Sequence, residues 1–184
     1  MVDRMIHIRL ATPEDAAAVQ AIYAPIVRES STSFELDPPG VDEMRRRIEE
    51  TLKRFPWLVY ESEHGVTGYA YAGTFRARPA YQWTVEVSVY IREDARGQGI
   101  GRALYEALFD FLRRQGFRNA VAGIALHNPA SVRLHERLGF RKVGVFHRVG
   151  YKFSAWHDVA WWELPLLSSP EAPSAPLPLP PAAD

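Results

Sequence analysis

From Trp83 to Ile91 the chain alternates. Trp83, Val85, Val87, Val89 and Ile91 fall on one side of an extended strand, and Thr84, Glu86, Ser88 and Tyr90 fall on the other. One face is apolar; the other carries polar groups, a carboxylate among them. Downstream the period lengthens to that of a helix: Ile100, Ala103, Leu104, Ala107, Leu108, Phe111 and Leu112 form an apolar stripe that ends near Gly116. Ala120 to Leu126 reads as a further strand, so the centre of the chain is strand, glycine loop, helix, strand. Upstream, Met5 to Leu10 alternates as a first strand. Thr12 as N-cap, Pro13 at the first helical position and the acidic pair Glu14 and Asp15 then open a helix to about Tyr23. Val41 to Arg54 predicts a second, charged helix. Trp57 to Glu61 and Val66 to Gly73 predict a hairpin around His64 and Gly65.

The chain has 184 residues, enough for one domain with its own core. Its last seventeen residues, Ser168 to Asp184, hold six of the 14 prolines and no aromatic, so the expected division is a folded domain over 1–167 and a disordered Pro-rich tail over 168–184. No repeat of solenoid length is present. Lys and Arg number 22 against 22 Asp and Glu. This balance removes the field that a nucleic-acid coat protein or a polybasic membrane binder needs, and neither partner is expected. The chain has no Cys, which excludes disulfides, a zinc ribbon and a thiol nucleophile. Met1 to Leu10 has no signal-peptide pattern, and no apolar run approaches the ~18 residues that span a bilayer, so a cytoplasmic setting is expected.

Arg96-Gly97-Gln98-Gly99-Ile100-Gly101 lies between the Glu86 strand and the amphipathic helix. Glycines let backbone approach a ligand, and free N–H groups at a helix start favour phosphate; a close-packed turn is the plainer reading. A P-loop would need Lys-Ser or Lys-Thr after the last Gly, where Arg102-Ala103 stands. A dinucleotide site would need G-x-G-x-x-G and a later acid, and Asn119 to Leu126 has none. The six His have no metal-ligand spacing, and no G-x-S-x-G elbow is present, so neither a metal nor a serine acyl-enzyme is expected.

Three further features could carry chemistry. An inward Glu86 could accept the proton that an ammonium must lose before its nitrogen attacks a thioester; an outward Glu86 would be a solvated strand residue. Arg76 and Arg78, on the loop before that strand, suit bidentate capture of an oxyanion or are solvated charges. Asn128, Ser131 and His135 share one helix face; Asn128-Pro129 is a good cap, and a lone helix His is more often structural.

The order of elements and the glycine segment resemble the GNAT superfamily of acyl-CoA-dependent N-acetyltransferases, over roughly Ile6 to Leu166. The run Asn128 to Phe140, then Gly150-Tyr151-Lys152 and Trp156-His157-Asp158-Val159, is similar to the branch containing phosphinothricin and methionine sulfoximine N-acetyltransferases. The resemblance implies an α/β fold with a mixed, strongly bent sheet that splays beside the Glu86 strand and holds acetyl-CoA there, without a metal. It implies that pantetheine pairs with Val89, Tyr90 and Ile91 and that pyrophosphate meets Arg96, Gly97, Gln98, Gly99, Ile100, Gly101 and Arg102. Asn128 and Ser131 would meet the cofactor arm. Glu86 would be the base, His135 would assist, and Tyr90 or water would return a proton to the thiolate. Phe34, Arg76, Arg78, Tyr81, Glu86 and Ser88 would hold a small amino-acid-like substrate of the phosphinothricin, methionine sulfoximine or methionine sulfone type. The branch further implies a homodimer. The alternatives are a protein or peptide N-terminal acetyltransferase and a non-catalytic CoA sensor.

Overall fold

The computed structural model describes residues 7–168 and 172–180. Met5 and Ile6 of the expected first strand, and 169–171 and 181–184 of the tail, lie outside the described residues. Seven strands form one sheet: β1 (His7–Leu10), β2 (Trp57–Ser62), β3 (Gly65–Thr74), β4 (Thr84–Ile91), β5 (Asn119–Ala125), β6 (Arg141–Lys152) and β7 (Ala155–Pro165). Their spatial order is β1-β2-β3-β4-β5-β7-β6, and among the described residues β4 with β5 is the one parallel pair. Helices α1 (Ala16–Glu29), α2 (Val41–Leu52), α3 (Ile100–Gln115) and α4 (Pro129–Arg137) complete the domain.

The alternation read along β4 sorts the two layers. Val85 and Val87 join Ala70, Ala72 and the buried side of α3 in the larger core. On the opposite face Tyr69, with Tyr71 and Tyr90 beside it, packs under α1 and α2 in the smaller one. Ala70 and Ala72 are small, which lets α3 lie close to the sheet; Trp57, Tyr69 and Tyr71 stack on the other side, with Trp57 and Tyr71 centroids 4.3 Å apart.

Two expectations need correction. The first helix continues past Tyr23 to Glu29, through Pro25. Pro25 and Ala21 both lie on the solvent side, so the carbonyl that loses its partner is not trapped, and burial of Val27 holds the extra turns. The stripe on α3 is also turned: Tyr105 and Phe109 are buried while Ala103, Ala107 and Phe111 are only half-buried. Phe140 and α4 cover the Tyr105 flank, which no periodicity within α3 reports. The long β6–β7 hairpin carries no alternating apolar signal in the sequence, because its edge strand is mostly exposed.

The Pro-rich segment makes hydrogen bonds with the body, which a tail free of contacts would not. Ser174 O accepts from the Trp83 indole at 2.7 Å; Leu177 N donates to Gln115 O at 2.7 Å, and Leu177 O accepts from Gln115 Nε2 at 3.1 Å. Leu177 retains the N–H that its proline neighbours lack.

Candidate active site

The parallel pairing of β4 and β5 stops early. It covers Thr84 with Asn119, Val85 with Ala120 and Glu86 with Val121. Beyond it, Val87 to Ile91 pair with β3, and Ala122 to Ala125 pair with β7. The sheet therefore parts just past Glu86, and the β4 edge from Val87 to Ile91 turns backbone groups into the gap. Such an edge can pair with an extended amide-bearing ligand.

Glu86 sits where the strands part, half-buried, on the α1–α2 face. Burial raises its pKa above the ordinary value of 4.5, and the nearby positive charge of Arg76 opposes that rise. A raised pKa makes the carboxylate a stronger proton acceptor. Ser88 follows on the same face, opposite Tyr71 in the β3–β4 register. Tyr90 is packed edge-on against Tyr23, centroids 5.1 Å apart, and against Tyr69 at 5.3 Å; burial holds its pKa well above 10.0, so it keeps its proton.

At the wide end of the gap Gly97 and Gly99 take φ of 78° and 83°, with Gly99 capping α3. These left-handed angles, not space, demand glycine, since a Cβ at either would touch nothing within 4 Å. At Gly101 it is space that is short: a Cβ would stand 3.2 Å from Leu134 Cδ2, so α3 and α4 lie close there. The first turn of α3 thus presents free N–H groups beside an exposed loop. Across the gap Asn128 Oδ1 accepts from Ser131 N at 3.1 Å and caps α4, as the Asn-Pro pair predicts.

Residues 8–161 match the model of the acetyltransferase (GNAT) domain. The chain belongs to the GNAT acetyltransferase family. Membership makes it an acyltransferase enzyme. The chain is 41% identical over 178 residues to a phosphinothricin N-acetyltransferase of Streptomyces viridochromogenes, covering 97% of this chain and 95% of that one. An L-methionine sulfoximine/L-methionine sulfone acetyltransferase of Salmonella typhimurium is 38% identical, with 86% and 94% covered. Among solved structures, a GNAT superfamily phosphinothricin acetyltransferase from Sinorhizobium meliloti in complex with AcCoA superposes with a TM-score of 0.87 at 35% identity, covering 92% of this chain and 93% of that one.

The GNAT domain brings some of the expected residues together and separates others. Arg76 lies near enough to Glu86 to act on it electrostatically, with its guanidinium 5.1 Å from the Phe75 ring centre. Arg78 caps the short turn Pro79–Tyr81 and is exposed. Tyr81 packs edge-on against Phe75, which packs on Trp161, so this loop leans on β7. Arg96 and Gln98 are exposed on the glycine loop; Arg102 is paired with Glu106 at 2.7 Å. Phe34 is 38% exposed on the loop after α1. His135 is buried, with Nδ1 2.8 Å from Ser131 O and Nε2 3.1 Å from the Tyr105 hydroxyl, and burial lowers its pKa. Both ring nitrogens are therefore engaged inside the α3–α4 layer.

Several neighbours of Phe34 carried no role in the sequence reading. Ser31 Oγ is 3.0 Å from His127 Nε2, the His127 and His157 ring centres are 5.4 Å apart, and the ring of Phe34 lies 6.0 Å from that of His157. The Tyr23 hydroxyl bonds Ser33 Oγ at 2.7 Å and Glu35 Oε1 at 3.0 Å. The resemblance touched this region at Phe34 and at the segments Gly150 to Lys152 and Trp156 to Val159; the loop itself has no periodicity to read. Among the described residues no helix is long and apolar enough to cross a membrane, and no three potential metal ligands stand together.

Proposed function

We propose that the enzyme transfers acetyl from acetyl-CoA to the α-amine of a small free amino acid or an analogue with a tetrahedral head group, of the phosphinothricin, methionine sulfoximine or methionine sulfone type. The observation that carries this reading is Glu86: a half-buried carboxylate with a raised pKa, standing where the sheet parts, with Arg76 beside it. The relatives' names support the substrate class.

The parted edge and the glycine loop fit the cosubstrate. Val89, Tyr90 and Ile91 would pair with its pantetheine amides, the N–H groups from Arg96 to Arg102 would meet its pyrophosphate, and Asn128 and Ser131 would contact the arm. Arg76 and Arg78 would hold the substrate's anionic groups, with Tyr81, Ser88 and Phe34 lining the pocket.

Glu86 takes a proton from the substrate ammonium, directly or through water, and the freed nitrogen attacks the thioester carbonyl carbon. Backbone N–H groups near Val89 stabilise the negative charge that develops on the carbonyl oxygen. As the C–S bond breaks, water returns a proton to the thiolate, since burial holds the expected donor Tyr90 in its protonated form. His135 would act at one remove, by holding Tyr105 and the start of α4.

The enzyme is further proposed to be a cytoplasmic homodimer. Val143, Phe146, Val149, Tyr151, Phe153 and Trp156 on the β6–β7 hairpin are each more than half exposed, an apolar surface that a second copy would cover. Gel filtration at the monomer mass would refute the dimer.

A thiol-release assay with acetyl-CoA and a panel of methionine sulfone, methionine sulfoximine, phosphinothricin and common amino acids tests the substrate class. Release with at least one of them is expected. Silence across the panel overturns the reading. Equal rates with a C-terminally amidated peptide would favour a protein N-terminal acetyltransferase instead, since such a peptide offers no carboxylate to the two Arg.

A further inference from the structure

We propose that Lys152 is a positioning residue for the amine substrate: its buried ammonium ties the loop that carries Phe34 to the β6–β7 hairpin, and Gly150 provides the seat for the Phe34 ring. The proposal rests on the reading that Phe34 walls the amine pocket.

Lys152 ends β6 with only 4% of its surface exposed. Its Nζ donates to three carbonyls: Val27 O at 2.6 Å, Ser30 O at 2.9 Å and Ser33 O at 2.8 Å. An ammonium has three N–H donors, so all are spent on the end of α1 and the loop that follows it. Val27 and Ser30 belong to the end of α1, where unpaired carbonyls point outward and the helix dipole favours a cation. A buried charge is costly, and three carbonyl dipoles at a helix end, with the charge of Glu35 acting from the same loop, are what can hold it. The Lys152 carbonyl is engaged too, accepting from His157 Nε2 at 3.0 Å.

The strand period explains why Gly150 belongs to the same device. Gly150 and Lys152 are two residues apart and project to one side of β6, and Gly150 stands opposite His157 on β7. A Cβ on Gly150 would lie 2.5 Å from two carbons of the Phe34 ring, so the ring rests directly on the Gly150 backbone. Phe34 is thereby held by its ring on Gly150 and by its chain through Lys152, one residue away at Ser33. His127 fastens the same loop at Ser31 from the end of β5. The hairpin thus sets the position of a pocket wall that belongs to a different part of the sequence.

The test is steady-state kinetics in both substrates together with hydrogen–deuterium exchange over residues 30–35. Lys152→Met keeps the stem and removes the three donors; Gly150→Ala displaces only the end of a side chain, so it keeps the fold if Lys152→Met does not. Both variants should raise the KM for the amine by about tenfold or more, leave the KM for acetyl-CoA within about twofold, and lower kcat less than they raise the amine KM. Exchange over 30–35 should rise in Lys152→Met. If Lys152 acts through Phe34, adding Phe34→Ala to Lys152→Met should raise the amine KM little further. Unchanged exchange, an unchanged amine KM in both variants, or full additivity with Phe34→Ala would each overturn the proposal. A wild type silent on every amine is a different failure, that of the substrate reading; exchange alone then decides the tether, increased exchange supporting it and unchanged exchange overturning it.

Discussion

The Tyr105 hydroxyl and His135 Nε2 stand 3.1 Å apart inside the α3–α4 layer, and the other ring nitrogen of His135 lies 2.8 Å from Ser131 O. The imidazole links two helices that converge on the glycine loop. Burial lowers its pKa below 6.5, so the folded protein prefers it neutral. His135→Ala leaves a cavity and an unpaired Tyr105 hydroxyl, and should destabilise the protein by about 3 kcal/mol at pH 8. Wild-type stability should fall as pH drops below 6.5, because the unfolded chain binds a proton that the folded His135 resists. The difference between wild type and variant should therefore narrow towards pH 5 in denaturant titrations, and a constant difference would show that His135 does not titrate with folding.

Glu86→Gln keeps size but cannot take up a proton. Turnover at neutral pH should drop by roughly ten- to a thousandfold, with little change in acetyl-CoA affinity, and the defect should shrink at alkaline pH as the amine loses its own proton. In the wild type, kcat/KM should rise with pH through a Glu86 pKa above 4.5. Wild-type turnover in the variant at every pH would leave Glu86 without a catalytic part.

Arg76 and Arg78 should separate in a pH profile. Arg76→Ala removes the charge that opposes the burial of Glu86, so the acid limb of kcat/KM should move to higher pH as the amine KM rises. Arg78→Ala should raise the amine KM alone. An acid limb unmoved in Arg76→Ala would show that its guanidinium does not act on Glu86.

Gly101→Leu pushes against Leu134, whose Cδ2 lies 3.2 Å from where a Cβ would stand, and should raise the KM for acetyl-CoA more than that for the amine. Calorimetric titration with CoA checks this directly; affinity equal to wild type would detach the loop from cofactor binding.

Removal of 168–184 deletes the partners of Trp83 and Gln115. Stability should fall by about 1–2 kcal/mol, with a red shift in Trp emission and turnover retained. An unchanged Tm and emission spectrum would show that the segment does not dock in solution.

Local and periodic features are legible along the chain alone. The alternation from Thr84 to Ile91 assigns Glu86 and Tyr90 to one face, the Asn128-Pro129 pair announces the α4 cap, and Gly97 and Gly99 mark the loop that opens α3. Each follows from a period or a backbone angle that a few neighbouring residues impose. The identity of the family was legible for the same reason, since its motifs are contiguous. The raised pKa of Glu86 was not: it depends on burial in the folded domain, which the charge of Arg76 partly opposes. The engagement of both His135 nitrogens depends on Tyr105, thirty positions away, and the Lys152 contact spans more than a hundred. A pattern along the chain tells which way a side chain points from its own element. Only the packing of elements decides what it meets there, and so whether a His is spent on structure or a Lys holds a loop.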